Sequence, residues 1–283
     1  MEEIAYYDGK IGSPEEISVP FNDRSHFFGD GVYDATISGN HVIYCLEDHL
    51  DRFYSSAAAL QINVPMSKQD LAKLLQDLDN KVDAKTHFVY WQVSRGVTPR
   101  DHAFGTGMQG KILIFIRPSP DVVPGMPEPV DTITAEDIRF EYCNIKTLNL
   151  LPSVMAYDKA VKAGAFEAIL HRGDIVTECA HSNISILKDG VFYSHPNDQY
   201  ILRGIGKTNL IKTCYQCSVP VIERPFTLEE LFNADEVIIT ASSEFCYPVK
   251  SINGVEVGGK DRKTLELIGL QAQRDYLKAI GDI

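Results

Sequence analysis

Lys146 stands in the run Asn144-Ile145-Lys146-Thr147-Leu148, where its neighbours are apolar or neutral. A lysine kept from water there offers a nucleophilic amine, the group that condenses with carbonyl compounds. The same lysine also fits a strand edge, with its stem on apolar surface and its amine in solvent. Val176-Thr177-Glu178 follows about thirty residues later and brings a carboxylate. Arg100 and His102 lie two residues apart in a loop, so an extended backbone turns both to one side. A guanidinium and an imidazole converging in this way suit a carboxylate ligand, although a solvated charged loop reads the same.

Two further segments could hold an anion. Gly204-Ile205-Gly206-Lys207-Thr208 resembles the tail of a P-loop, but Ile201 occupies the place of its first glycine. What survives is a glycine-rich start to a helix, whose free N–H groups can face an anion or simply begin the helix. Thr240-Ala241-Ser242-Ser243 ends an apolar run with hydroxyls, which either hold phosphate oxygens or make a turn.

The elements that must position these residues fall on either side of a proline-rich stretch. Five prolines lie between Pro118 and Pro129, and neither a helix nor a central strand tolerates that density. Residues 1–117 are expected as an N-terminal α+β domain, 118–130 as a linker, and 131–283 as a C-terminal, barrel-like α+β domain. In the first, strand-like runs at 32–37 and 41–45 flank the turn signal Ser38-Gly39-Asn40. Helices are expected at 46–60 and at 67–78, the latter opened by Ser67 with Asp70 three residues on. Strands at 86–95 and 111–117 enclose the Arg100 loop. The second domain reads as strands at 132–138, 167–170, 184–187, 191–193, 219–222 and 236–240. Helices are expected at 153–163, after Gly206, and from 261 to the end. Strands and helices without a regular βαβ rhythm indicate α+β rather than a doubly wound sheet.

Composition narrows the function classes. The net charge is −12 with a pI near 5.1, which argues against a nucleic-acid backbone as the main partner. The N-terminal Met1-Glu2-Glu3-Ile4 lacks the basic start of a secretory signal, and no apolar run reaches the roughly 18 residues of a membrane span. A cytoplasmic protein without membrane association is expected. Of six cysteines only Cys214 and Cys217 form a Cys-x-x-Cys pair, with no second pair to complete a zinc site, so no metal is expected.

Taken together, the segments resemble the fold-type IV pyridoxal-phosphate enzymes, and among them the D-amino-acid aminotransferases. The resemblance runs through Phe28-Gly29-Asp30-Gly31-Val32-Tyr33, His49-Leu50-Asp51-Arg52, Arg95-Gly96-Val97-Thr98-Pro99-Arg100-Asp101-His102, Asp137-Ile138-Arg139, the Lys146 run, Glu167-Ala168-Ile169-Leu170-His171-Arg172 and Val176-Thr177-Glu178. Arg-Gly-x-x-Pro-Arg-x-His is the piece that points to the D-amino-acid group. The resemblance implies two domains with pyridoxal phosphate between them, held as a Schiff base on Lys146, which also moves the substrate proton. It implies that Glu178 pairs with the pyridine nitrogen and that Arg139 lies behind it. Arg52, the backbone of Ile205 and Gly206, and Ser242 would hold the phosphate, and Leu202 would pack on the ring. Tyr33, Arg100 and His102 would trap the substrate carboxylate, the last two reaching in from the second subunit of a homodimer.

The implied reaction is amino transfer between a D-amino acid, of the D-alanine or D-glutamate type, and a 2-oxo acid. A branched-chain L-amino-acid aminotransferase, an aminodeoxychorismate lyase and an (R)-amine transaminase share the fold; the first would not need Arg100 and His102. The chain departs from the family at Cys179-Ala180-His181-Ser182-Asn183, where Gly-Ser-Ser-Ser-Asn is usual, and at Gly206 and Ala241, where hydroxyl residues are usual. His181 is therefore expected to tune the side-chain pocket, and the phosphate to lose two hydrogen bonds of about 1 kcal/mol each.

Overall fold

The computed structural model describes residues 2–283, which divide into two compact units. Unit 1 comprises the chain up to Val122 together with Ile145–Asn149 and Leu277–Ile283. Its elements are β1 (Ile4–Tyr7), β2 (Lys10–Gly12), α1 (Arg24–Phe28), β3 (Gly31–Gly39), β4 (Val42–Ile43), α2 (Leu46–Ala59), α3 (Lys68–Asp79), β5 (Thr86–Ser94) and β6 (Lys111–Pro118). The strands form one sheet in the order β2-β1-β6-β5-β3-β4. Alternation decides which face is buried: Val89, Trp91 and Val93 of β5 and Ile112, Ile114 and Ile116 of β6 turn inward. Leu50, Phe53 and Ala57 of α2 and Leu71, Leu75 and Leu78 of α3 join them in one core. Each large apolar side chain buried there contributes about 1.5–3 kcal/mol.

Strand β4 is shorter than the run 41–45 suggests. Asn40 and His41 take φ of 49° and 60°, so the turn falls on that pair and consumes the start of the run. Cys45 is left-handed too, at φ 50°, and ends the strand before α2. Helix α3 starts as its cap signal indicates, with the Ser67 side chain accepting from the Asp70 N–H.

Because β4 pairs only with Ser38 and Gly39, the edge of β3 at Gly31–Tyr33 is open. The Lys146 segment fills it. Tyr33 N–H donates to the Lys146 carbonyl at 3.0 Å, and Leu148 N–H donates to Gly31 at 3.0 Å. Val32 and Thr147 form an isolated bridge between them, and Ile145 packs against the unit 1 core.

Unit 2 comprises Val123–Asn144 and Leu150–Tyr276. In chain order it contains β7 (Val130–Glu136), α4 (Leu151–Lys162), β8 (Glu167–Arg172), β9 (Ile175–Cys179), β10 (Asn183–Lys188), β11 (Val191–Ser194), α5 (Ile205–Gln216), β12 (Val221–Glu223), β13 (Phe226–Thr227), α6 (Leu228–Phe232), β14 (Glu236–Thr240), β15 (Tyr247–Ile252), β16 (Val255–Glu256) and most of α7 (Arg262–Ala279). Ten strands make its sheet, in the order β12-β11-β10-β14-β15-β7-β8-β9-β13 with β16 on β15. Parallel and antiparallel pairs are mixed, and α4 is the crossover between the parallel β7 and β8. Pro152 in the first turn lets α4 begin earlier than 153, where a missing N–H costs nothing.

Candidate functional site

One end of the unit 2 sheet gathers most of the chemistry. Strands β10 and β14 are antiparallel with Asn183 opposite Thr240, so the turn before β10 and the turn after β14 are neighbours. The first is closed by Cys179 N–H on the Ser182 carbonyl at 2.8 Å, the second by Ala241 N–H on Glu244 at 2.8 Å. Glu178 and Asn183 are the shoulders of the first turn, and Ser242 lies in the second.

Glu178 is 4% exposed and fixed by its side chain. Its carboxylate accepts from Nη1 of Arg139, from Nδ2 of Asn183 at 2.8 Å, and from Leu202 N–H at 3.1 Å. Arg139 is fixed in turn: Nε and Nη2 donate to Asp137, both at 2.9 Å, and Nη2 to the Tyr200 carbonyl at 3.2 Å. Burial alone would weaken the Arg139 cation, but Glu178 and Asp137 outweigh it and hold its pKa above the ordinary value. Asp137 has a lowered pKa: burial opposes ionisation, and hydrogen bonds and charge from Arg139 with charge from Arg172 overcome it. Thr177 Oγ1 also donates to Asp137, at 3.0 Å. Asn183 Nδ2 donates to the Leu202 carbonyl at 3.1 Å, so Leu202 is held through both its N–H and its carbonyl.

Helix α5 begins against these groups. Its N-cap is Gly204, which brings no capping side chain, so the first-turn N–H groups of Ile205 and Gly206 are served by none. A β-carbon on Gly204 would stand 1.8 Å from Asn183 Oδ1, and one on Gly206 would stand 2.3 Å from the Ala241 carbonyl oxygen. Gly206 meets main chain, which cannot swing aside, whereas Gly204 meets the end of the Asn183 side chain. The helix start therefore lies directly on the turn that carries Ser242, and a hydroxyl side chain at 206 has no room. Uncapped N–H groups beside a serine form a cradle that fits a phosphate.

His181 sits at the tip of the first turn, and its Nδ1 contacts Oε2 of Glu167. Glu167 is fully buried; it also accepts from Ser182 Oγ at 2.8 Å and from Ala168 N–H at 2.8 Å. The Tyr157 ring meets His181 edge-on at 4.7 Å.

In unit 1, Lys146 is fixed by its backbone. Its N–H donates to Ser56 Oγ at 3.2 Å and its carbonyl accepts from Tyr33, while Nζ lies 4.4 Å from the centre of the Tyr33 ring. Tyr33 stacks on Tyr90 at 5.4 Å. Arg52 is 7% exposed and grips Asp34 with two parallel bonds, Nε to Oδ2 at 2.8 Å and Nη2 to Oδ1 at 2.6 Å. His49 Nδ1 meets the same carboxylate at 2.8 Å. Burial opposes the Asp34 charge, yet Arg52 and His49 hold its pKa well below the carboxylate range. His49 is lowered, chiefly by burial, against the pull of Asp34.

Arg100 and His102 share one partner, Phe28: the guanidinium lies 5.0 Å and the imidazole 5.2 Å from its ring centre. Their loop is clamped from below. Asp30 accepts from Arg24 at 2.7 Å and from Arg95 at 2.9 Å. Arg24 then donates to the Asp101 carbonyl, and Arg95 stacks under Phe104 at 3.6 Å. The Arg100 and His102 side chains remain exposed at the end of this clamp.

Of the residues singled out from the sequence, Tyr33, Arg52, Arg100, His102 and Lys146 lie in unit 1, and Arg139, Glu178, His181, Leu202, Ile205, Gly206 and Ser242 lie in unit 2. Sequence reasoning gave no role to Asp34, Asp137, Glu167 or Asn183, which hold those side chains in place. A buried acid paired with a named arginine leaves no local motif; only the Asp137-x-Arg139 spacing carried a signal.

The chain belongs to the class IV amino-transferase family, whose model matches residues 31–252. It is an aminotransferase of the pyridoxal-phosphate-dependent, fold-type IV class. It is 40% identical over 251 residues to a D-alanine aminotransferase of Listeria monocytogenes, covering 88% of this chain and 87% of that one. To a D-alanine aminotransferase of Bacillus licheniformis it is 36% identical over 252 residues, covering 89% of each. Among solved structures, the branched-chain amino acid aminotransferase of Escherichia coli superposes with a TM-score of 0.86 over 98% of this chain and 94% of that one. At 20% identity that match concerns the fold.

Proposed function

We propose that this protein moves an amino group between a D-amino acid and a 2-oxo acid, with pyridoxal phosphate bound and Lys146 as the reacting amine. The observation that carries the reading is the fixed Glu178 carboxylate beside the uncapped start of α5, an acceptor for a ring N–H next to a cradle for a phosphate. When bound, the cofactor supplies an electron sink for the pair left on the substrate Cα. Lys146 Nζ takes the proton from that carbon and returns one to complete the transfer. Glu178 accepts the pyridine N–H, and Arg139 balances its charge. Leu202 packs on the ring, and the N–H groups of Ile205 and Gly206, Ser242 and Arg52 hold the phosphate. Tyr33, Arg100 and His102 bind the substrate carboxylate. A fixed carboxylate leaves one direction for the Cα–H bond, and this sets the choice of hand.

The protein is further proposed to work as a cytoplasmic homodimer. Leu151, Val154, Met155 and Val161 of α4 are 70%, 56%, 47% and 55% exposed, an apolar face that a second copy would cover. Its partner supplies Arg100 and His102, which touch Phe28 in their own chain. All six cysteines are free thiols, in keeping with a reducing compartment. No helix among the described residues is long and apolar enough to cross a membrane.

The test is a half-reaction. The cofactor-loaded protein is mixed with D-alanine or L-alanine, without a 2-oxo acid, while the absorbance band of the lysine-bound cofactor is followed. Loss of the band with D-alanine alone, with pyruvate formed, is expected. Loss with L-alanine alone would overturn the assignment of hand, and no change with either would overturn transamination of alanine. Sedimentation of Val154→Asp beside the wild type tests the dimer, with a shift to monomer expected.

A further inference from the structure

We propose that His41, Asp79 and His87 bind a zinc ion, which ties the β3–β4 turn to the end of α3 and the start of β5. The site lies within unit 1 and does not depend on the transaminase reading.

Three elements converge on one carboxylate. Asp79 is the last residue of α3, and its side chain is fully buried. His87, equally buried, stands at the start of β5, where it pairs with Ser38 of β3. His41 belongs to the turn between β3 and β4, placed there by a left-handed backbone at φ 60°. One donor atom from each of the three lies within 4.8 Å of the other two. The His41 and His87 rings stand 5.2 Å apart and are tilted by 59°, so they do not stack.

The hydrogen bonds around the cluster suit an ion. His87 Nε2 faces the Ala84 carbonyl at 2.9 Å, and a carbonyl only accepts, so Nε2 carries a proton. That leaves Nδ1 facing Asp79 Oδ1 at 2.7 Å, with room between them for a proton or, if they part slightly, a metal ion. Metal-binding histidines donate their other N–H in the way His87 does. The second oxygen of Asp79 accepts from Ser38 Oγ at 2.7 Å, a bond that orients a ligating carboxylate. His41 Nδ1 lies 3.9 Å from that oxygen and 3.2 Å from the Asp79 carbonyl. With its side chain 42% exposed, His41 has room to turn from the carbonyl to an ion. Donors around tetrahedral zinc stand about 3.3 Å apart, a spacing that the 2.7 Å and 3.9 Å separations bracket. Two imidazoles and a carboxylate form a zinc donor set, and water from the open side completes the four.

The expectation of no metal rested on the cysteines. Asp79 follows His41 by 38 positions and precedes His87 by 8, which is no metal-binding spacing. The site is also remote from Lys146, whose segment bridges β3 at Val32. Ser38 lies further along that strand, roughly 20 Å from Val32.

The experiment adds zinc chloride to the cofactor-loaded protein, stripped of metal by a chelator, and follows both heat of binding and melting temperature. The wild type is expected to take up one zinc ion per chain and to melt about 5 °C higher at saturation. His41→Asn keeps a residue that tolerates the left-handed backbone and removes the exposed ligand. It is expected to lose both the equivalent and the rise. His87→Gln is expected to lose them too, from a lower starting temperature. Cys217→Ser, which breaks the Cys-x-x-Cys pair, is expected to keep them. No uptake by the wild type overturns the site. Uptake that survives in His41→Asn, or that is lost in Cys217→Ser, places the metal elsewhere and overturns it equally. Uptake without a rise in melting temperature overturns the tie between the three elements.

Discussion

Lys146 and Glu178 are held in opposite ways. The lysine is fixed through its main chain, stitched to Tyr33 and Ser56, while its amine lies against the Tyr33 ring. The glutamate is fixed through its side chain, with Arg139, Asn183 and the Leu202 N–H all on the carboxylate. The difference fits what each must do in the proposed reaction. An amine that leaves one carbon and collects a proton from another must swing, so only its root can be anchored. A carboxylate that keeps one proton in place on a ring nitrogen must not move, and three donors see to that.

The largest effect should come from the swinging partner. Lys146→Ala is expected to abolish the lysine-bound absorbance band and to cut turnover by roughly 10³-fold or more, near the upper range for a lost acid–base group. Because the segment is held by its backbone, the fold should be kept, with a melting temperature close to that of the wild type. A variant that retained full turnover would remove the lysine from the mechanism. One that unfolded would break the comparison instead, showing that the side chain also anchors the segment.

Glu178→Gln should cost less in rate and more in structure. Loss of the ring-nitrogen partner is expected to lower kcat by on the order of 100-fold. The substitution also leaves Arg139 with one carboxylate in place of two, in a setting only 14% exposed. A loss of about 1–3 kcal/mol is expected, readable in urea unfolding of the cofactor-free protein. If stability were unchanged and only kcat fell, the contrast between the two anchors would be weaker than the hydrogen bonds suggest.

The same contrast explains what the sequence could disclose. Lys146 and Glu178 could be proposed from the sequence because each belongs to a contiguous run of family-like residues, and the Pro-rich stretch at 118–129 stands out by composition alone. The long strands and helices followed from alternation and from caps such as Ser67. The anchors were not legible. Asp34 meets Arg52 across eighteen positions, and Glu178 meets Arg139 across thirty-nine, so neither pair shows as a local pattern. The shortness of β4 also escaped, since left-handed Asn40, His41 and Cys45 look like ordinary strand or turn residues. Gly206 was read as a lost hydroxyl; that it meets the Ala241 carbonyl requires the packing.

Asp34 extends the comparison to pH. Its pKa is lowered in the folded state, so its ion pair stabilises fully above the ordinary aspartate value, about 4. That contribution is lost progressively as pH falls from there toward the lower folded-state value. Asp34→Asn removes one partner of a buried pair, for which about 3–5 kcal/mol of destabilisation is expected at neutral pH. Melting temperatures taken from pH 7 to pH 3 should therefore converge toward those of the wild type at the acid end. Parallel curves would show that Arg52 is held by something other than this charge.

The smallest effect tests the cradle. Gly206→Thr restores the residue usual in the family and, by motif alone, should add a hydrogen bond to the phosphate. The structure argues the reverse, because the new β-carbon would lie 2.3 Å from the Ala241 carbonyl oxygen. Separating α5 from that turn is expected to cost about 1–3 kcal/mol, as overpacking does. The displaced Ser242 and first-turn N–H groups should then bind the cofactor less tightly than in the wild type, measured as its dissociation constant with Lys146 intact. Tighter binding in Gly206→Thr would mean that the turn yields easily and that the close approach of Gly206 to Ala241 is a consequence of the missing side chain, not a requirement of the fold.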